Sequence, residues 1–271
     1  MRDARRRIAE ETVGILDRGW YDHPERGRVT ITEEVAAAVA GTRLWTPGEL
    51  RRLRPRPPSV ATSVEVTNET SLSAARRLAA AGDAVGCLNF ASAKNPGGGF
   101  LKGAEAQEET LARASGLYAC LAGVPVFYAF HRAQADPLYS HHAIFSPAVP
   151  VFRDDRGDLL SRPYPVSFVT SAAPNAGAVD EGDPRRDLLA EVLSERAAGV
   201  LALFADAGTR GIVLGAWGCG VFRNSPEQVA AVFAAHLGPG GAFHGSFERV
   251  VFAVLDRAPG TPTYGAFAKA F

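Results

Sequence analysis

Cysteine is scarce and scattered: the chain holds three, Cys87, Cys120 and Cys219, with no Cys-x-x-Cys pair. That excludes a disulfide framework and a cysteine-type zinc site. Net charge is absent as well, because 29 basic and 29 acidic side chains cancel, so no global field gathers a polyanion and any attraction has to be local. Direct nucleic-acid binding is not expected. Long apolar runs are missing, and the charged opening from Met1 to Arg7 has no apolar segment of signal-peptide type. A cytoplasmic protein without membrane association is therefore expected. His131, His141 and His142 lack metal-ligand spacing and read as loop or surface histidines, so no metal and no cofactor is expected. No Gly-Lys-Ser/Thr follows the glycine run, which excludes a Walker-type NTPase, and the contiguity of that run argues against a dinucleotide-binding oxidoreductase.

What is present suffices for a substantial core: 46% of the 271 residues are apolar, enough for one large α/β domain or a domain with an appendage. Periodicity predicts helices over residues 4–16, 30–40, 46–54, 72–81, 104–121, 184–207 and 226–237. Strands are predicted over 63–67, 84–90, 143–145, 165–171, 211–216 and 249–255. No internal repeat or low-complexity tract appears. Residues 54–59 read as a linker, which divides the chain into an N-terminal helical extension over 1–58, packed on the core, and a main domain over 59–271. The alternation of strands and helices indicates a three-layer α/β/α domain.

One spacing carries the chemistry. Gly97-Gly98-Gly99 is followed, after seven intervening residues, by Gln107-Glu108-Glu109. Glycines let a backbone approach a ligand and turn amides onto an anion. Two adjacent carboxylates at a helix start lie beside them, where unpaired amides and the helix dipole suit a diphosphate. Taken alone, Gln-Glu-Glu at a helix start is ordinary capping chemistry, and glycine runs are often only turns. Together they imply a substrate with an anionic part and a bond that acid can break, such as a nucleotide sugar. Strand 84–90 delivers Asn89 at its carboxyl end, and residues 215–224 form another glycine-rich loop beyond a strand, so three distant segments converge on one crevice.

Gly97-Gly98-Gly99, seven residues and Gln107-Glu108-Glu109 resemble the signature of the poly(ADP-ribose) glycohydrolases, and the strand ending Asn89-Phe90-Ala91 resembles their macrodomain core. Gly215-Ala216-Trp217-Gly218-Cys219-Gly220-Val221-Phe222-Arg223-Asn224 is similar to the family's second ligand loop, and Val64-Glu65-Val66-Thr67-Asn68-Glu69-Thr70 to its first strand and turn. The chain is similar to the compact bacterial-type members. The resemblance implies a macrodomain-like fold with a mixed sheet and hydrolysis of the ribose–ribose bond of poly(ADP-ribose) to ADP-ribose. It also implies roles. Glu109 is the general acid that then activates water; Glu108 orients the scissile ribose, and its charge helps to keep Glu109 protonated. The helix N-terminus opposes that protonation, and burial under substrate is expected to prevail.

By the same resemblance Asn89 meets the ribose, and Gly97, Gly98 and Gly99 wrap the diphosphate and proximal ribose, with Asn95 beside them. Gln107 ties loop to helix. Gly218, Cys219, Gly220 and Val221 supply amides to the phosphates, with Asn224 in the same loop, while Phe222 packs on the distal ribose. Cys219 reads as a small filler rather than a nucleophile, and Glu69 or Thr70 contacts the adenine. The polymer and its ADP-ribose product are the expected partners of a monomeric enzyme. Two alternatives stay open, a non-catalytic reader of ADP-ribose on the same fold and a hydrolase of mono-ADP-ribosyl protein; the acid pair distinguishes the first, since a reader needs no acid.

Overall fold

A computed structural model describes residues 1–55 and 60–271. The linker expected at 54–59 falls mostly outside the described residues, and the domain boundary between 58 and 59 lies outside them. Seven strands form one mixed sheet. Its order is β3 (Arg43–Trp45), β6 (Ala143–Arg153), β7 (Leu159–Ser171), β5 (Val85–Phe90), β8 (Gly211–Leu214), β9 (Arg249–Ala253) and β4 (Ser63–Thr67). The five strands from β7 to β4 run parallel, while β6 is antiparallel to both neighbours.

Alternation along the buried strands feeds two cores. Leu88, Val169, Ile212, Val250 and Phe252 meet α8 (Arg185–Asp206), α9 (Pro226–Leu237) and α10 (Pro262–Ala270) on one face. Cys87, Phe168, Val213 and Val251 meet α4 (Ser71–Ala80), α5 (Gln107–Ala114), α6 (Leu117–Ala122) and α7 (Pro125–Ala133) on the other. Three layers result, as the alternation of elements predicts. The amino-terminal part is not all helical: after α1 (Arg2–Arg18) come a hairpin of β1 (Trp20–His23) and β2 (Gly27–Thr30), then α2 (Thr32–Gly41), β3 and α3 (Pro47–Leu50). β3 adds an edge strand to the main sheet. Buried Arg153 fixes α1 by donating to Thr12 Oγ1 at 3.1 Å and to Glu11 Oε2 at 2.9 Å.

The helix predicted over 104–121 is two helices. Ser115 is extended (φ −147°, ψ 177°) and bridges Val151 of β6. Its hydroxyl donates to Leu111 O at 2.7 Å and accepts from Leu117 N–H at 3.2 Å, serving both ends of the break. Residues 100–102 form a short 3-10 turn and Gly103 turns at φ +71°, so α5 opens at Gln107. The strands predicted at 143–145 and 165–171 are the sheet ends of a longer hairpin. Pro147 and Pro150 hide the first from a periodicity reading; the chain takes in Pro147 at a register shift between Ser146 and Val149, with Ala148 at φ +45°, while Pro150 stays in register opposite Pro165. His131 is neither loop nor surface: it is buried on α7, paired with Phe127 O at 2.9 Å and Ser140 Oγ at 2.8 Å.

Candidate active site

A cleft of about 1020 Å³ opens at the carboxyl ends of the parallel strands, where open α/β sheets place ligands. α5 begins directly beneath it because Gln107 latches onto β5. Its Oε1 accepts from Phe90 N–H at 2.9 Å, and its Nε2 donates to Leu88 O at 2.7 Å and Ser71 Oγ at 3.2 Å. Its amide therefore joins helix to strand, and not the helix to the glycine loop as expected. Register along α5 then turns Glu108 inward and Glu109 toward the cleft.

Glu108 is only 3% exposed. Its Oε2 accepts from Ser92 N–H at 2.6 Å and its Oε1 from Asn89 Nδ2 at 3.2 Å. These donors, with the Gly97 amide, favour the carboxylate, yet burial outweighs them and pushes the group up to about 8, the neighbouring Glu109 adding to the rise. Glu109 is half-buried, and its Oε1 accepts from Gly99 N–H at 2.9 Å.

Close approach explains the glycines. Gly98 sits at φ +60°, and a Cβ there would stand 2.3 Å from Glu109 Oε1 and 3.2 Å from Glu108 Oε2. The loop amides were expected to face a diphosphate. Instead Gly98 N–H donates to Asn95 O at 3.0 Å, Gly99 N–H holds Glu109 and the Gly97 amide favours the Glu108 carboxylate. Loop 215–224 differs. Trp217, fully buried, donates from Nε1 to Ser171 O at 3.0 Å; Asn224 Nδ2 donates to Pro174 O at 2.8 Å and Gly218 O at 3.2 Å. With its base pinned, the loop presents the amides of Gly220, Val221 and Phe222, which have no protein acceptor among the described residues. Successive free amides in a tight turn make an anion-binding concavity.

Glu69, Asn95, Gly98, Gly99, Gln107, Glu108, Glu109, Gly218, Cys219, Gly220, Val221 and Phe222 line the cleft. Asn89, Gly97 and Asn224 do not. Asn89 is fully buried behind Glu108, bonded to it and to Thr170 Oγ1 at 3.1 Å; Gly97 is buried against Phe100 and Ala112; Asn224 shapes its loop from beneath. Phe222 packs beside Tyr139 with ring centroids 5.7 Å apart. Burial pushes the Cys219 thiol up to about 12, so it carries no thiolate and fits the filler reading. Arg77 holds Glu69 through a 2.9 Å bond. Among the described residues no group of histidine, cysteine or carboxylate side chains is placed to hold a metal ion.

A family model described as the microbial-type PARG (poly(ADP-ribose) glycohydrolase) catalytic domain matches residues 9–154. The chain belongs to the microbial-type poly(ADP-ribose) glycohydrolases. The poly(ADP-ribose) glycohydrolase of Thermomonospora curvata bound to the inhibitor ADP-HPD is similar at 57% identity and a TM-score of 0.94, over 99% of this chain and 100% of that one. That of Deinococcus radiodurans in complex with ADP-ribose is similar at 50% identity and a TM-score of 0.80, over 87% of this chain and 96% of that one. Comparison with the curated proteins found no match. The enzyme is thus a glycosidase on a macrodomain-like fold, hydrolysing the ribose–ribose O-glycosidic bond of poly(ADP-ribose) to release ADP-ribose. Among the described residues no helix is long and apolar enough to cross a membrane.

Sequence reasoning missed several parts of the cleft wall, among them Ala253, Val254, Leu255 and Arg257 at and beyond the end of β9 and two polar residues, Ser92 and Asp155. Ser92 supplies the amide that fixes Glu108, a backbone role with no side-chain signature. Asp155 lines the cleft from the β6–β7 turn, where its Oδ2 accepts from Thr70 Oγ1 at 2.8 Å and Ser73 Oγ at 2.7 Å. Asp154-Asp155-Arg156-Gly157 is a turn signal that could have marked the hairpin; nothing local foretells its docking on α4.

Proposed function

We propose that the cleft binds the terminal ADP-ribose unit of poly(ADP-ribose) and that Glu109 breaks the bond joining it to the rest. The observation that carries this is the pairing of Glu109 with Gly99 N–H at 2.9 Å. The amide occupies Oε1, so the acidic proton belongs on Oε2 of this cleft-lining side chain. Glu109 gives that proton to the oxygen of the departing ribose as the anomeric carbon becomes oxocarbenium-like. The resulting carboxylate takes a proton from water, whose hydroxide completes the bond to carbon and restores the acid. Glu108, fixed by Ser92 and Asn89, orients the scissile ribose.

The diphosphate is assigned to the free amides of Gly220, Val221 and Phe222, with Phe222 against the distal ribose. The adenine is assigned to the end of the cleft beside Glu69 and Thr70. There Asp155 closes the wall by bridging to α4, so a chain continuing beyond the adenosine meets protein. This supports cutting inward from polymer ends. The role of residues 1–58 as an extension packed on the catalytic domain, a monomeric state, the bacterial cytoplasm as its place, and clearance of polymer made in a DNA-damage response complete the proposal and rest on the resemblance. Time-resolved chromatography of purified long polymer tests it. Free ADP-ribose is expected from the first moments with slow shortening of the remainder; early mid-length oligomers would overturn the end-directed reading.

A further inference from the structure

A smaller cavity of about 410 Å³ adjoins the main cleft, lined by Arg2, Asp3, Arg6, Leu101 and Lys102. Leu101 and Lys102 line both spaces, so the two meet along this margin. α1 forms its far wall. Arg2 Nε donates to Lys102 O at 3.0 Å and Arg5 Nε donates to Gly103 O at 3.0 Å. The approach is close enough that a Cβ on Gly103 would stand 2.3 Å from Arg2 O.

The charge of this groove is unbalanced. Arg2, Arg6 and Lys102 stand against Asp3 alone. Neighbouring Glu105 is held by Arg5 at 2.6 Å, whereas Glu10 meets Arg6 at 3.4 Å with both side chains more than half exposed, a pairing of little strength in water. Lys102 makes no ion pair among the described residues. These cations contribute no buried bridge to the fold.

The groove also lies on a particular side of the reaction. Gly99, whose amide holds Glu109, accepts Lys102 N–H on its carbonyl at 2.9 Å. Lys102 is thus one backbone bond from the loop that holds the proton donor, and Arg2 of α1 binds the Lys102 carbonyl in turn. In a polymer of ADP-ribose the departing ribose belongs to a second unit that carries its own diphosphate.

We propose that the groove of Arg2, Arg6 and Lys102 binds the diphosphate of this second unit, on the leaving side of the scissile bond. It is a site for the leaving chain, distinct from the one for the terminal unit's diphosphate on loop 215–224. It gives the enzyme a preference for polymer over substrates whose leaving group lacks phosphate. The effect is salt-dependent, because exposed charges are screened over roughly 10 Å at 0.1 M ionic strength. The proposal rests on Glu109 being the proton donor.

Kinetics on two substrates test it: purified long polymer, and ADP-ribose carrying 4-nitrophenol on its anomeric carbon, which has the same terminal unit and no second diphosphate. Arg6→Glu is expected to raise KM for polymer about five- to tenfold at low salt, with the difference shrinking at high salt. KM and kcat for the nitrophenyl substrate stay at parental values. An Arg2→Gln/Arg6→Gln double variant is expected to show the same split, and parental melting temperatures would confirm that both fold. An unchanged polymer KM, or an equal rise on both substrates, would overturn the proposal. The Glu109 assignment is tested separately by its own substitution, so either can fail alone.

Discussion

Loop 92–99 turns its amides inward, onto its own carbonyls and onto Glu108 and Glu109, whereas loop 215–224 leaves the amides of Gly220, Val221 and Phe222 open. Both are glycine-rich and both end a parallel strand, so composition alone makes them alike. Their anchoring makes them different. The first loop wraps two acids: its glycines admit carboxylate oxygens at distances a side chain would fill, and burial moves Glu108 far from the ordinary carboxylate range. The second is pinned from below by Trp217 and Asn224 and leaves Val221 82% exposed. On the proposed reading, one loop sets protons and the other receives an anion. Glycine runs that look interchangeable in a sequence can serve opposite halves of one reaction, and the hydrogen-bond partners of their amides tell them apart.

Substitution at Gly98 should break the comparison most severely. A valine Cβ would fall on Glu109 Oε1 and force a β-branched residue to φ +60°. Turnover of polymer is expected to fall by 100-fold or more, while ADP-ribose still raises the melting temperature of the variant if, as proposed, its diphosphate rests on the other loop. Loss of that ligand-induced shift in a folded variant would place the diphosphate on loop 92–99.

Loosening the second loop should have the complementary and smaller effect. Asn224→Ala removes donors to Pro174 O and Gly218 O, and two such bonds contribute about 1–3 kcal/mol. The dissociation constant for ADP-ribose, measured by calorimetry, is expected to rise about tenfold with kcat within about threefold of the parent. A fall in kcat with unchanged affinity would contradict the division of labour.

The smallest effect concerns stability. Glu108 has a folded-state value raised to about 8 from an ordinary 4.5, so between those values the folded protein binds the extra proton. Stability from this group is complete below about pH 4.5 and is lost as pH rises through 8. Glu108→Gln removes the ionisation, and its melting temperature relative to the parent is expected to improve by a few degrees from pH 5 to pH 8. A flat difference would mean that Glu108 is charged in the folded protein throughout.

Much of this site is legible in the sequence because it is local. Strand 84–90, the three glycines and the two acids fall within one stretch of chain, and their spacing places the carboxylates beside the glycine loop. The alternation of strands and helices likewise fixes the three layers. What cannot be read is long-range. Asp155 meets Thr70 from 85 residues away, and α1 grips Gly103 by backbone shape. The break at Ser115 depends on a bridge to Val151 that no helix propensity registers. Prolines in β6 conceal a strand whose irregularity the fold accommodates. The wiring of the two loops belongs to the same class: which amide is engaged depends on the side chain that arrives from elsewhere.

The central claim is that Glu109 gives its proton to the departing oxygen, and leaving-group dependence addresses it most directly. Glu109→Gln keeps shape but cannot donate an acidic proton, so its deficit should depend on how much the departing group needs one. On polymer, turnover is expected to fall about 100- to 10,000-fold with ADP-ribose affinity within several-fold of the parent. On ADP-ribose carrying 4-nitrophenol, which departs without protonation, the deficit in nitrophenol release should shrink at least tenfold. Equal deficits on both substrates, or polymer turnover near the parent's, would contradict the account.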